Sequence, residues 1–305
     1  MDDQTIEWPK KVREYQRFCI DSTYWNDFKW RDDDIIIATW AKAGTTWVQQ
    51  IVANLIFKGE VEGLPIGDMS PWIDFRLPPL EVKLPDVEAQ EHRRFLKTHL
   101  PLDAFTFQPK VKHIYIARDG RDCCWSVYNH HVHLNDFLYD GLNALPQPWD
   151  PVIVPPKTDD MRQYYIEWFY YDGFPFWPFW DNIRTWWTAR NLPNVYFLHY
   201  QNLKDDMEGQ MRKISEFLEI PIDEGKWEKM VHQCTFDYMK DNATLSTPLG
   251  GAIFDGGAEV FVNKGTNGRW KDILTDEDNK QYEARAVYEL GEECAHWLAT
   301  GEMPK

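Results

Sequence analysis

Three basic side chains, Lys42, Lys97 and His99, stand where the sequence could act on a small anion. Lys42 follows a β-branched run and precedes Gly44 and two threonines, after which apolar residues recur at helical spacing. An ammonium group, a close backbone approach at glycine and hydroxyl donors suit phosphate oxygens, and a helix start favours anions. The order of residues is not that of an ATP or GTP loop. We interpret residues 39–47 as an anion cradle, and a strand, turn and helix without function stays the alternative.

Lys97 and His99 belong to a second apolar run, residues 95–100, which ends before Pro101. They are two residues apart, so both side chains face one side of an extended chain. Ligands collect at strand ends of open parallel sheets, where an imidazole can accept a proton. A purely structural histidine beside a strand is the other interpretation.

A third pair of candidates, Arg118 and Ser126, follows the apolar run 111–117. Arg118 stands at the end of the predicted strand, and Ser126 lies about two turns into the helix that follows. A guanidinium group offers a fixed fork of donors, which suits a second phosphate. A capped helix start with surface arginines is the alternative.

The elements that position these side chains are four buried strands, at residues 35–37, 95–100, 111–117 and 195–200, with helices between them. This alternation predicts an α/β fold with a central parallel sheet flanked by helices. No glycine- or serine-rich linker interrupts the chain, so we predict a single domain over residues 1–305. Within it we expect a charged lead-in at 1–30, a lid or acceptor loop at 137–160, and a glycine-bearing loop on the cofactor side at 247–271.

The composition restricts the partners. With 49 acidic and 33 basic residues, the formal charge of −16 repels nucleic acid and acidic membrane surfaces. No apolar run reaches transmembrane length, and the first residues lack an apolar signal core. Five cysteines are too few for a disulfide scaffold. We therefore expect a cytoplasmic protein that binds neither nucleic acid nor membrane.

Aromatic residues make up 15% of the chain and could either line a ligand site or fill the core. Residues 164–187 are dense in rings, which would suit a wall for a cyclic ligand, a cage for a quaternary ammonium group, or tight packing. The run His130-His131-Val-His133 lacks complementary metal ligands, so we favour solvent or a binding site over a metal. The candidates for ligand contact are Trp72, Phe75, His130 and Phe254.

The motif Trp-Ala-Lys-Ala-Gly-Thr-Thr-Trp at residues 40–47 resembles the Tyr-Pro-Lys-Ser-Gly-Thr-Thr-Trp loop of the cytosolic sulfotransferases, and the resemblance covers nearly the whole chain. It implies a P-loop-kinase-like fold. It also implies transfer of a sulfuryl group from 3′-phosphoadenosine 5′-phosphosulfate (PAPS), leaving adenosine 3′,5′-bisphosphate (PAP), with no metal required. Lys-Thr-His-Leu-Pro at residues 97–101 matches the segment whose histidine takes the acceptor proton. The implied catalytic residues are His99, Lys42 and Lys97.

The resemblance also implies a nucleotide site. Arg118 and Ser126 match the residues for the 3′-phosphate, Tyr200 matches a residue at the adenosine, and Trp47 and Phe236 would stack on the purine. Residues 261–271 resemble the glycine loop that binds the 3′-phosphate. The implied site consists of Lys42, Ala43, Gly44, Thr45, Thr46, Trp47, Arg118, Ser126, Tyr200, Cys234, Thr235, Phe236, Met239, Phe261, Asn263, Lys264, Gly265 and Arg269.

The chain departs from the family pattern at several positions. Cys234 replaces threonine, Asn263 replaces an arginine, and Arg269 replaces an aspartate. We hypothesise that Arg269 restores the lost grip on the 3′-phosphate from another direction. In the family's dimerisation motif, Asp276 replaces an apolar residue and Lys280 reverses a charge. We expect a monomer, or a dimer that does not use this motif.

The sequence thus predicts a sulfotransferase that acts on a hydroxyl of a small aromatic or alicyclic acceptor, such as a phenol, an alcohol or a sterol-like compound. Two alternatives stay open. One is a catalytically weak protein that binds PAP or PAPS, which the loss of arginine at Asn263 favours. The other is a P-loop nucleotide kinase, which the order of residues in the cradle disfavours.

Overall fold

A parallel β-sheet of four strands lies at the centre of the computed structural model, which describes residues 6–145, 153–156 and 158–304. The strands occur in the order β2-β1-β3-β4, and each neighbouring pair is parallel. Their bounds are β1 Ile35–Thr39, β2 Phe95–Thr98, β3 Lys112–Ala117 and β4 Val195–His199. The four apolar runs form these strands because helices cover both faces of the sheet. The predicted α/β fold with a central parallel sheet is confirmed.

Helices surround the sheet in the described part of the chain. The first group is α1 Thr45–Phe57, α2 Ile66–Met69, α3 Leu80–Ala89, α4 Gly120–Val132, α5 Asp136–Asn143, α6 Met161–Tyr170, α7 Phe179–Trp187 and α8 Tyr200–Asp205. The second is α9 Met207–Leu218, α10 Trp227–Gln233, α11 Phe236–Asp241, α12 Ala243–Ser246, α13 Ala258–Phe261, α14 Asp276–Leu290 and α15 Glu292–Thr300. None of these helices is both long enough and apolar enough to span a bilayer.

The strand register brings the predicted site residues to one edge of the sheet. Ala38 of β1 pairs with Thr98 of β2 and with Tyr115 of β3, and Ala117 pairs with His199. The residues that follow these positions therefore leave the sheet side by side. They include the anion cradle, His99, Arg118 and Tyr200.

The opposite edge of the sheet is held by a buried ion pair. Asp34 precedes β1 and Arg94 precedes β2, and their side chains are 0% and 1% exposed. The Arg94 guanidinium donates to both carboxylate oxygens, at 2.8 and 2.6 Å. This bidentate pair fixes the starts of the two strands that end at the cradle and at His99.

Most of the rings at residues 164–187 fill the core. Trp168, Trp180 and Trp186 are fully buried in the cluster on one face of the sheet. Trp177 also belongs to this cluster, but together with Phe176 it lines a cavity that is described below. Of the three interpretations of this aromatic stretch, tight packing thus explains most of its rings.

The structure adds a helix and buried residues to two of the predicted segments. The expected loop at 137–160 begins as the helix α5, because Asn135 caps it by accepting from the Leu138 amide and because Leu138 and Leu142 are buried. Residues 146–152 and 157 lie outside the described residues. The lead-in at 1–30 is not only a charged surface segment, since Tyr15 and Trp25 are buried in the core.

Candidate active site

The anion cradle turns sharply between β1 and α1. Lys42 has a φ of 63° and Gly44 has a φ of 118°, and Gly44 is the N-cap of α1. A Cβ atom at Gly44 would lie 2.8 Å from Ile116 Cδ1 and 2.9 Å from Tyr200 Cδ2, so only glycine fits. The free amides and the positive dipole end of α1 face the same turn, which suits an anion.

A cavity of about 1130 Å³ opens at this edge of the sheet. It brings together nearly all of the predicted site residues. Those that line it are Lys42, Gly44, Thr45, Thr46, Trp47, Trp72, Phe75, Lys97, His99, Arg118, Ser126, His130, Tyr200, Thr235, Phe236, Met239, Phe254, Phe261, Asn263, Lys264, Gly265 and Arg269.

Two predicted residues do not line the cavity. Ala43 is buried, and Cys234 packs in the core cluster beneath α1. The backbone of Cys234 still touches the site, because its carbonyl accepts a hydrogen bond of 2.8 Å from Trp47 Nε1. Burial raises the pKa of the Cys234 thiol, so the side chain is an inert part of the core.

Arg118 is fixed at one end of the cavity by the glycine loop. Its Nε donates to Asn267 Oδ1 at 2.8 Å, and its Nη2 donates to the Thr266 carbonyl at 2.9 Å. The guanidinium carbon also lies 4.3 Å from the centre of the Tyr200 ring. The loop and the end of β3 are thereby joined around a single cation. Lys204, which was not predicted, lines the same end and donates to the Gly265 carbonyl at 2.8 Å.

The two departures in the glycine loop have different surroundings. The Asn263 amide donates to Asn129 Oδ1, so it is committed to a partner within the protein. Arg269 is half-buried, and its Nε has no hydrogen-bond partner among the described residues. Burial, and next the charge of Arg118, lowers the pKa of Arg269. A second guanidinium, with one unpartnered nitrogen, therefore lies close to Arg118.

The three basic residues of the predicted chemistry share one strongly desolvated region. Burial, followed by the charges of Arg118 and Lys97, lowers the pKa of Lys42 to about 7. Burial also lowers the pKa of Lys97 to about 8. Burial and the Lys97 charge lower the pKa of His99 to about 3, so its imidazole is neutral at neutral pH.

The orientation of His99 is set by one hydrogen bond. Its Nδ1 lies 2.8 Å from the Thr39 carbonyl oxygen, which can only accept. Nδ1 therefore carries the hydrogen, and Nε2 keeps its lone pair. The ring is held between Trp72 and Trp177, with ring centres at 4.6 and 5.5 Å. A neutral, oriented imidazole of this kind can act as a base.

The wall beside His99 is built from a short segment that Asp74 and Lys83 hold in place. Trp72 stacks on Phe75 with ring centres 4.6 Å apart, and its Nε1 donates to Asp74 at 2.7 Å. Lys83 Nζ donates to the carbonyls of Trp72, Ile73 and Phe75. Neither Asp74 nor Lys83 was predicted as a site residue. The only sequence signal was a carboxylate within an aromatic run, and its second partner, Trp25 Nε1 at 3.0 Å, is distant in the chain.

The three histidines near the end of α4 differ in their surroundings. His131 is held between the Tyr164 hydroxyl and the Val154 carbonyl, and His133 Nδ1 lies 2.6 Å from the Asn129 carbonyl. Of the three, His130 is the one that lines the cavity. Within the described residues, no group of three or more histidine, cysteine or acidic side chains has the arrangement of a metal site.

Known proteins are similar to this chain in sequence. The family model for the sulfotransferase domain matches residues 32–292. A glycolipid sulfotransferase of Mycobacterium bovis is 27% identical over 290 residues, which cover 88% of each chain. Sulfotransferase 1C2 of Homo sapiens is 31% identical over 264 residues, covering 84% of this chain and 82% of that one.

Solved structures share the fold. Retinol dehydratase in complex with retinol and PAP superposes with a TM-score of 0.70 at 21% identity, covering 93% of this chain and 89% of that one. A mouse sulfotransferase complexed with PAP gives a TM-score of 0.67 at 21% identity, with 91% and 92% covered. The family model spans most of the chain, and the relatives match along most of their own length. The chain therefore belongs to the sulfotransferase domain family, which confirms the enzyme class predicted from its sequence.

Proposed function

We propose that this sulfotransferase moves the sulfuryl group of PAPS to a hydroxyl of a small acceptor, with His99 as the general base. The observation that carries the proposal is the meeting, in one cavity, of an anion cradle and a neutral imidazole whose Nε2 keeps its lone pair. The PAP complexes of the structural neighbours support the choice of nucleotide.

The donor groups in the cavity suit a doubly phosphorylated adenosine. Lys42 and the first amides of α1 would hold the 5′-phosphate, and Arg118 with Ser126 would hold the 3′-phosphate. Trp47 and Phe236 would lie against the purine. A Cβ at Gly265 would come within 2.7 Å of the Phe236 ring, so the glycine lets the loop pass close to that ring.

In the reaction, His99 Nε2 accepts the hydroxyl proton as the acceptor oxygen bonds to sulfur. The bond between sulfur and the 5′-phosphate oxygen breaks, and PAP leaves with the electron pair. Lys97 would neutralise the sulfuryl oxygens, and Lys42 would stabilise the leaving phosphate. Sulfuryl transfer is close to phosphoryl transfer in that positioning and charge stabilisation supply most of the rate.

We propose an aromatic or alicyclic acceptor, because Trp72, Phe75 and Trp177 give the cavity an apolar wall next to His99. The mycobacterial relative is named for a glycolipid acceptor, so a larger amphipathic alcohol is the second acceptor class to test. We also expect a reducing compartment such as the cytoplasm, since all five cysteines are buried free thiols.

The proposal is tested with the variant His99→Ala. We expect formation of sulfated product from a panel of phenols and alcohols to fall by at least about 100-fold, the usual contribution of a general base. Mass spectrometry reads the product, and calorimetric titration with PAP should give an unchanged dissociation constant. His133→Ala is the matched control, because its ring lies outside the cavity. Near-normal turnover by His99→Ala would refute the assignment.

PAP titration, the product assay and a test for ATP consumption together separate the alternatives. A PAP-binding protein without turnover would bind PAP tightly and form no product with any acceptor. A nucleotide kinase would consume ATP with Mg²⁺, and neither outcome is expected.

The oligomeric state stays a prediction of a monomer, or of a dimer that does not use residues 271–280. Thr275 caps α14, and the Asp278 carboxylate binds Arg162 at 2.8 Å within the same chain. These contacts support the expectation, because groups in that segment already have partners inside the protein.

A further inference from the structure

We propose that His130 forms a second polar subsite in the acceptor end of the cavity, which binds a second hydroxyl or carbonyl oxygen of the acceptor. This inference rests on the proposed function, because it assigns the acceptor's chemistry at that same site. It narrows the acceptor from any phenol or alcohol to a compound with two oxygen groups. One oxygen would be sulfated beside His99, and the other would be held by His130.

The first support is that His130 lacks the partners that its neighbours have. His131 has a polar partner for each ring nitrogen, and His133 has a backbone carbonyl. Within the described residues, His130 Nδ1 has no hydrogen-bond partner and is closed to solvent. The ring edge left to the cavity is therefore the one that carries Nε2. No described residue hydrogen-bonds to His130 Nε2 either, so a ligand oxygen there would give the ring its one hydrogen bond.

The second support is the apolar wall around the ring. His130 lies against Phe254, Phe261 and Phe176, with ring centres at 4.9, 5.8 and 6.2 Å. Val127, Leu134 and Ile253 also line the cavity. In such a wall a single imidazole would determine how the acceptor is oriented. One hydrogen bond in apolar surroundings also discriminates strongly between acceptors that have the matching oxygen and those that lack it.

The third support is that His130 and His99, the proposed base, line the same cavity. His99 lies 5.5 Å from the Trp177 ring, and Trp177 is 5.6 Å from Phe176, against which His130 packs. Burial, and then the nearby Lys42 charge, lowers the pKa of His130, so the ring is neutral. A neutral imidazole can donate to a carbonyl or accept from a hydroxyl. An acceptor between the two histidines would meet one imidazole at each end.

The test compares naphthol with the full set of dihydroxynaphthalenes, rigid probes that place a second hydroxyl at different separations. Dissociation constants are measured by calorimetry for the wild type, His130→Phe and the control His133→Phe, with and without PAP. We expect at least one dihydroxy isomer to bind the wild type about tenfold more tightly than naphthol, the value of one hydrogen bond. His130→Phe should lose that ratio and keep its affinity for naphthol, whereas His133→Phe should keep both.

An unchanged ratio in His130→Phe, or a wild type without any preference for a second hydroxyl, overturns the subsite. The failure of the proposed function is seen separately, as a loss of PAP binding or the absence of sulfated product from every acceptor. The naphthol ratios do not depend on turnover. The two ideas can therefore fail independently.

Discussion

At the residue scale, the buried lysines determine how a nucleotide would bind. Burial and the charges of Arg118 and Lys97 lower the pKa of Lys42 to about 7, and burial lowers the pKa of Lys97 to about 8. Without a ligand, each additional positive charge in this region is unfavourable. An anionic phosphate removes that penalty, and nucleotide binding and protonation are therefore coupled.

We expect the protein to take up protons from solution when PAP binds. A phosphate raises the pKa of Lys42 above its free value of about 7, so at about pH 8 the bound state carries more protons than the free state. The affinity for PAP should thus fall as the pH rises from about 7 to about 9. Calorimetry in buffers of different ionisation enthalpy measures the uptake directly. Lys42→Met should reduce it, and an affinity that is constant over this range would contradict the coupling.

Arg269 is expected to carry part of the 3′-phosphate interaction that Asn263 cannot supply. It is cationic, half-buried and close to Arg118, and its Nε is unpartnered among the described residues. Arg269→Ala should raise the KM for PAPS roughly tenfold, in keeping with the loss of a charge-assisted hydrogen bond. Asn263→Ala is the control and should have a smaller effect. An unchanged KM in Arg269→Ala would show that the compensation is absent.

At the scale of elements, the turn between β1 and α1 depends on a glycine that no other residue can replace. Gly44→Ala would strain a φ of 118° and push a methyl group against Ile116 and Tyr200. We expect a loss of about 1–3 kcal/mol in the free energy of unfolding and weaker PAP binding. Gly63→Ala is the matched control, because its φ is 76° but no atom lies within 4 Å of the added methyl. Denaturant unfolding and PAP titration give both quantities, and equal losses in the two variants would contradict this role.

The elements that could be predicted are those that local sequence determines. The four strands and the cradle follow from apolar runs that end at small or charged residues, and the family motifs place Lys42, His99 and Arg118. Helix α5 was missed because a proline-rich stretch just beyond it suggested a loop throughout. Trp72, Phe75 and Phe254 were predicted as ligand contacts and line the cavity, whereas Trp177 was not predicted, because it meets Trp72 only through tertiary packing.

At the scale of the whole molecule, a stabilising ion pair and the candidate active site lie at opposite ends of the strands. The buried pair Asp34–Arg94 lies where β1 and β2 begin, and the cradle and His99 lie where they end. Removing one partner of a buried pair leaves a desolvated charge, whereas replacing both can be neutral. Changes at the starting edge should therefore alter stability without altering the site.

We expect Arg94→Met to lower the free energy of unfolding by about 3–5 kcal/mol, because Asp34 would stay buried without its partner. The double variant Arg94→Met with Asp34→Leu should recover most of that loss. Denaturant unfolding measures both effects. The dissociation constant for PAP should be unchanged in the folded variants, and a large change would mean that the two ends of the sheet are coupled.

The partly buried Trp47 and Trp72, at the nucleotide end and beside His99, have an optical consequence. Many of the other indoles, such as Trp25 and Trp168, are fully buried, so their emission should not change when a nucleotide or an acceptor binds. Intrinsic fluorescence should thus change in two separable steps, one lost in Trp47→Phe and the other in Trp72→Phe. Binding of the nucleotide and binding of the acceptor could then be followed separately by tryptophan fluorescence, without an attached dye.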